Sequence, residues 1–261
     1  MAAIHGSDHI IGGLFFPYPA ASCDAKKANN FLLGELSKES SCRGGVLVTP
    51  SMTEGDIESF IDNPRIVALK PYHVFSNQKP SFDSTISGFL TKGMLEVAHR
   101  HSLAIVLHLV RKAALADPEN LKEIIAISKK YQNVKLILAH AGRGFHAQNT
   151  VKAVRALRGC TNVWFDASGI CEPEAIVAIL KEFGPRRLLW GSDFPVSEIR
   201  GRAVSIGDGF FWLTEESLSG EKLIADIAPN LVKLYLESLH ALQSACSLFG
   251  ASSDDRKDIF S

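Results

Sequence analysis

Three short apolar runs in this chain each end on a single polar residue: Leu103-Ala-Ile-Val-Leu-His108, Val134-Lys-Leu-Ile-Leu-Ala-His140 and Leu188-Leu-Trp-Gly-Ser-Asp193. Aliphatic and β-branched runs of this length are what buried parallel strands are made of, because such strands are covered on both faces. In an α/β barrel, a polar residue at the C-terminal end of a strand lies at the face where chemistry is done. The shared design therefore restricts the fold to an α/β class and marks His108, His140 and Asp193 as site candidates. Imidazole and carboxylate suit zinc or a similar divalent ion. The residue types point to a metal enzyme.

Strand-like and helix-like patterns alternate along most of the length. Strands are expected at His9–Phe16, Gly45–Thr49, Ile66–Lys70, Leu103–Leu109, Val134–His140, Asn162–Asp166 and Leu188–Asp193. Helices are expected at Ala25–Ser37, Glu54–Asp62, Ser84–His101, Pro118–Tyr131, Ala147–Leu157 and Pro173–Phe183. Asp117-Pro118-Glu119 is a good helix start, with an N-cap carboxylate and proline in the first turn. Such alternation means βαβ units and a parallel sheet. Seven strands are recognised where a closed barrel has eight, and the deficit falls at the front. After Asp193 a loop (Ser197–Gly209), an aromatic turn (Phe210-Phe-Trp212) and a long amphipathic helix (Gly220–Leu248) are expected. The reading is a (β/α)8 TIM-barrel-like chain, N-terminally shortened, with one domain over residues 1–250 and a frayed polar tail over 251–261.

Composition narrows the function classes. At 261 residues and 46% hydrophobic content the chain can bury a large core. Lys+Arg and Asp+Glu number 28 each, so no field of one sign recommends nucleic acid or an anionic membrane as partner. A small-molecule substrate is expected, with self-association into a homo-oligomer as the other open contact. The five cysteines are spread without any CxxC pair, which suits reduced thiols in a cytoplasmic protein better than a disulfide framework. No run has transmembrane length, and no basic residue precedes the first apolar patch as in a signal peptide.

The segments Leu138-Ala-His-Ala-Gly142, Val163-Trp-Phe-Asp-Ala-Ser-Gly169, Leu189-Trp-Gly-Ser-Asp-Phe-Pro195 and Pro229-Asn-Leu-Val-Lys-Leu-Tyr235, in that order and spacing, resemble the amidohydrolase-related family of metal-dependent TIM-barrel hydrolases and decarboxylases. The resemblance runs from Ile10 to Leu239. It implies that His108 is the fifth-strand metal ligand. It also implies that His140 is the sixth-strand histidine that binds metal or polarises the attacked group, and that Asp193 is the eighth-strand aspartate that binds metal and handles the water's proton. The family's first strand carries a His-x-His pair of metal ligands, which this sequence lacks. His5 and His9 are four apart, about 13 Å on a strand, too far to share an ion. The chain is therefore expected to lack the first strand and to hold an incomplete metal site.

Further candidates follow from position. Lys70 closes Ile66-Val-Ala-Leu-Lys70 and is read as a cation for a substrate carboxylate, a carbamylated metal bridge, or a lysine reaching solvent. Tyr72 and His73 follow in the same loop as pocket lining. Arg143 is read as an anion holder beside His140, or as a solvated surface group. Asp166 is read as a substrate contact, or as part of the strand rim. His146 and His240 are read as having no catalytic role. The expected activity is hydrolysis of a small carboxylate, lactone or amide by a metal-activated water, zinc first among the ions, with Asp193 and His140 catalytic. Non-oxidative decarboxylation is the alternative within the family. A shortened barrel that only binds a ligand or partner is the rival outside enzymology.

Overall fold

The computed structural model describes residues 12–218 and 230–260. Among them, seven strands form one sheet in chain order: β1 (Leu14–Phe15), β2 (Arg43–Val48), β3 (Ile66–Pro71), β4 (Ala104–Leu107), β5 (Lys135–Leu138), β6 (Val163–Asp166) and β7 (Leu188–Leu189). The pairings β1/β2, β2/β3, β3/β4 and β6/β7 are parallel. Helices connect them, so the α/β reading holds. No helix among the described residues is long and apolar enough to cross a membrane. His5 lies outside the described residues, as do His9 and the start of the expected first strand.

The chain divides into two compact units. The first takes in the residues up to Arg111 together with Lys122–Ile137 and Cys160–Val163. Its strands are apolar because they are covered: Val46, Leu47, Ala68, Leu69, Ile105 and Leu107 are fully or almost fully buried. Asn29, buried on the helix α1 (Ala25–Leu36), donates to the Leu47 carbonyl at 2.9 Å and accepts the Leu47 N–H at 2.8 Å. A helix side chain thus satisfies strand backbone that would otherwise be orphaned. The expected helix Ser84–His101 begins only at α3 (Lys92–Arg100), which follows α2 (Glu54–Ile61) in the chain. Before it, Ile86–Gly88 forms a tight turn whose Ile86 and Ser87 N–H groups are taken by the Glu123 carboxylate. That turn, a single 3-10 turn, buries Ile86, Phe89 and Leu90 without an α-helix.

The second unit takes in Lys112–Leu121, Leu138–Gly159 and Trp164–Ser261. Here three expectations are corrected. The last sheet strand stops at Leu189, four residues short of Asp193, so Asp193 lies in irregular chain. The expected loop and aromatic turn are an antiparallel hairpin, β8 (Gly201–Ile206) and β9 (Gly209–Thr214), paired from Gly201↔Thr214 to Ile206↔Gly209. Its turn is Gly207-Asp208, with Gly207 at φ 60°, a glycine-led pair of the kind that matches strand twist. The expected frayed tail is a helix, Ser253–Phe260, in which Ile259 is 1% exposed. It folds because Trp190 donates its backbone N–H to the Ile259 carbonyl at 2.8 Å and stacks on Phe260. The long helix expected over Gly220–Leu248 is described from Leu234 to Phe249, its first part lying outside the described residues.

Candidate functional site

Within the first unit, the end of β3 and the end of β4 bring four chemistry-bearing side chains together. His108 follows β4 by one residue. Its ring lies 5.1 Å from that of Tyr72 and 5.9 Å, stacked, from that of His73. Lys70 is 5% exposed, which removes the reading of a lysine reaching solvent. Its ammonium sits 4.7 Å from the Phe16 ring centroid and 5.7 Å from that of Tyr72. A buried cation against aromatic faces keeps electrostatic stabilisation while excluding water. The sequence-predicted Lys70, Tyr72 and His108 are thus one cluster, with His73 as its fourth member.

Within the second unit, His140 follows β5 by two residues and opens an unusual turn. His140, Ala141, Gly142 and Arg143 all have left-handed φ, at 55°, 54°, 70° and 59°. Three of the four are not glycine, and each such residue costs about 1–2 kcal/mol. The turn persists because its polar groups are tied from outside. The His140 N–H donates to Asp166 Oδ1 at 3.0 Å, and the Ala141 carbonyl accepts from Thr150 Oγ1 at 2.7 Å. The Gly144 N–H closes the turn on the His140 carbonyl. Concentrated strain of this kind is characteristic of functional sites.

The His140 side chain is 6% exposed, with Nδ1 at 2.9 Å from the Ser168 carbonyl oxygen and 3.0 Å from Ser168 Oγ. Asp166, the last residue of β6, receives the Ser168 N–H at 3.0 Å and the Ser168 hydroxyl on the same Oδ1 that holds His140. Arg143, read alternatively as a surface group, is 8% exposed with its guanidinium 5.8 Å from the Phe210 ring centroid. Phe210 and Trp212 of the hairpin pack on Phe145 at 5.2 and 5.0 Å, and Phe145 lies 5.2 Å from the His140 ring. An aromatic wall therefore lines the turn that presents His140 and Arg143. Asp193 has a left-handed φ of 54° and is half-buried, and its carbonyl accepts the Ser197 N–H.

Two contributions escaped sequence reasoning. Ser168 stands inside Asp166-Ala-Ser-Gly169 and had no assigned role, although a hydroxyl two residues beyond a strand-end carboxylate is a recognisable turn pattern. The hairpin was legible from Gly207-Asp208 between two β-rich runs. His146, expected to be idle, is buried with Nδ1 3.0 Å from Ser205 Oγ, which donates to Glu172. This network ties β8 to the start of the helix Pro173–Phe183 and supports the structural reading of His146. All five cysteines are free thiols, and burial pushes Cys171 up to about 11, so it is no nucleophile at neutral pH.

A divalent ion needs three or more convergent donors. Among the described residues no group of three or more His, Cys, Asp or Glu side chains is placed to hold one. The donors described do not by themselves fit a metal centre.

An amidohydrolase family model matches residues 53–222. L-Fucono-1,5-lactonase from Burkholderia ambifaria is 24% identical over 209 residues, covering 73% of this chain and 68% of the lactonase. An amidohydrolase from Burkholderia multivorans, solved once with HEPES and once with zinc bound, aligns at TM-scores of 0.60 and 0.58 with 12% and 13% identity, covering 96% of this chain and 80% of its own. A candidate 2-pyrone-4,6-dicarboxylic acid hydrolase from Pseudomonas putida aligns at a TM-score of 0.56 with 18% identity, covering 88% of this chain and 73% of its own. At these identities the structural likeness is one of fold, the TIM-barrel-like α/β class.

Proposed function

The chain belongs to the amidohydrolase family, and from that premise we propose that it hydrolyses a small cyclic ester whose opened product is a carboxylate. The observation that carries this reading is the single left-handed turn that presents a buried imidazole, His140, and a buried guanidinium, Arg143, three residues apart. Water adds to the ester carbonyl carbon, the ring C–O bond breaks, and the freed alkoxide takes a proton. His140 and Asp193 handle the protons of the water and the leaving alkoxide, while Arg143 attracts the carboxylate that forms. Arginine suits that task because its planar fork matches a carboxylate. The aromatic wall of Phe145, Phe210 and Trp212 supplies the apolar surface for a ring. The names of both the lactonase and the pyrone hydrolase denote cyclic esters, which supports this substrate class over amides.

Zinc is bound in the Burkholderia multivorans relative. The corresponding proposal here is a divalent ion, zinc first, held weakly because the described donors do not complete a site for it. The test is a pH-stat screen of 1,5-lactones and pyrone carboxylates, with His140→Gln as the control. His140→Gln is expected to cut kcat by about 10²–10⁴, the usual contribution of a positioned acid–base group, with circular dichroism unchanged. Carbon dioxide release from an aromatic acid, with no lactone turnover, would transfer the case to decarboxylation.

A further inference from the structure

Asp166 carries an apparent excess of hydrogen bonds for a strand-end rim residue. One of its oxygens, Oδ1, accepts three donors: the His140 N–H at 3.0 Å, the Ser168 N–H at 3.0 Å and the Ser168 hydroxyl. A hydroxyl has one proton, and here it goes to the carboxylate. Ser168 Oγ therefore faces His140 Nδ1, 3.0 Å away, with a lone pair. The Ser168 carbonyl oxygen, 2.9 Å from the same Nδ1, can only accept. Two acceptors converge on one ring nitrogen, and both are satisfied only if Nδ1 carries the proton.

We infer that Asp166 and Ser168 are positioning residues, which fix His140 as the Nδ1–H tautomer and leave Nε2 as its lone-pair face. Asp166 sets both ends of the device. It fastens the backbone of the left-handed turn through the His140 N–H, and it orients the Ser168 hydroxyl and the 167–169 loop whose carbonyl completes the pair of acceptors. Phe145, against the ring at 5.2 Å, limits the freedom of the imidazole to turn over. The assignment reverses one expectation and narrows another. Asp166 acts through His140 rather than on the substrate. In this tautomer His140 acts toward the reacting centre by accepting a proton at Nε2, not by donating a hydrogen bond to the attacked carbonyl.

The inference takes its interest from the reading of His140 as a reacting group, yet it is tested without substrate, so a failed lactone assay leaves it standing or falling by itself. The experiment is long-range ¹H–¹⁵N NMR on ¹⁵N-histidine-labelled protein at fixed neutral pH, with His140→Gln identifying the signal. In the native chain a pyrrole-type shift at Nδ1 and a pyridine-type shift at Nε2 are expected. Asp166→Ala is expected to abolish this single tautomer, giving exchange-averaged ring nitrogens. Asp166→Asn, which keeps an acceptor oxygen in place, is expected to restore most of it. A native His140 protonated at Nε2 would overturn the inference and needs no variant to fold. So would a folded Asp166→Ala protein whose tautomer is unchanged, since a residue that only contacted substrate would leave the ligand-free ring untouched.

Discussion

Gly142 shows how much of the candidate site rests on backbone geometry rather than on side chains. Its φ is 70°, in the middle of a run where the chain already holds three non-glycine residues left-handed. A Cβ at this position would meet Leu115 Cδ2 at 3.1 Å and Leu115 Cβ at 3.2 Å. Both the conformational cost and the crowding oppose a side chain. Gly142→Ala is expected to lower stability by about 1–2 kcal/mol from backbone strain alone, read as a shift of the urea midpoint at unchanged slope. A loss below about 0.5 kcal/mol, the scale of an ordinary surface substitution, would show that the turn relaxes freely. At this scale the sequence was partly legible. His140 and Arg143 could be picked out because a strand run led into them. The left-handed turn could not, since Ala141 and Arg143 have no local preference for it and are held there by Asp166 and Thr150 from elsewhere in the chain.

Among whole elements, those with an end signal of their own were the easiest to read. The helix α2 begins at a capping box: Thr53 Oγ1 accepts the Asp56 N–H at 3.1 Å, and Asp56 accepts the Thr53 N–H at 2.9 Å. Lys26, 2.6 Å from Asp56, and the Thr53 donors hold the Asp56 carboxyl down at about 2, below its ordinary 3.8. A depressed carboxylate stabilises the fold above its unfolded pKa, and that contribution drains away as pH falls from about 3.8 through about 2. Asp56→Asn is therefore expected to flatten acid unfolding followed by circular dichroism across that window. Only the Lys26 share should fade with added salt, since exposed pairs are screened and cap hydrogen bonds are not. An acid limb identical in both proteins would contradict this. The hairpin was the opposite case. Gly207-Asp208 was a sufficient turn signal, but Phe210-Phe-Trp-Leu213 is a continuous apolar run rather than an alternating one. Phe210 and Trp212 pack on Phe145, while Phe211 on the other face is exposed, and that division appears only once the chain is folded.

For the molecule as a whole, the alternation of strands and helices was legible because covered parallel strands must be apolar throughout, a local property. Whether strand-end donors converge on a metal could not be read in that way, because convergence is a property of the fold and not of any one segment. With no group of three donors among the described residues, extensively dialysed protein is expected to retain well under one equivalent of zinc by elemental analysis. A full equivalent that survives dialysis would mean that residues outside those described complete the site. The chain's far end bears on the site in a way its polar composition concealed. Trp190, three residues before Asp193, donates its N–H to Ile259 at 2.8 Å and stacks on Phe260 at 5.6 Å, and Arg186 pairs with Asp258 at 3.1 Å. The segment that carries Asp193 is thus tied down by the helix Ser253–Phe260 as well as by its own two-residue strand. Ile259 is 1% exposed, so its truncation to alanine should cost about 2 kcal/mol, the low end for a buried isoleucine because the helix is short. Ending the chain at Ser252 should go further, lowering the melting temperature and shifting tryptophan emission to the red as Trp190 loses its cover. If the shortened protein kept both its melting temperature and its emission maximum, the tail would be the frayed appendage that its composition suggested, and Asp193 would owe its position to β7 alone.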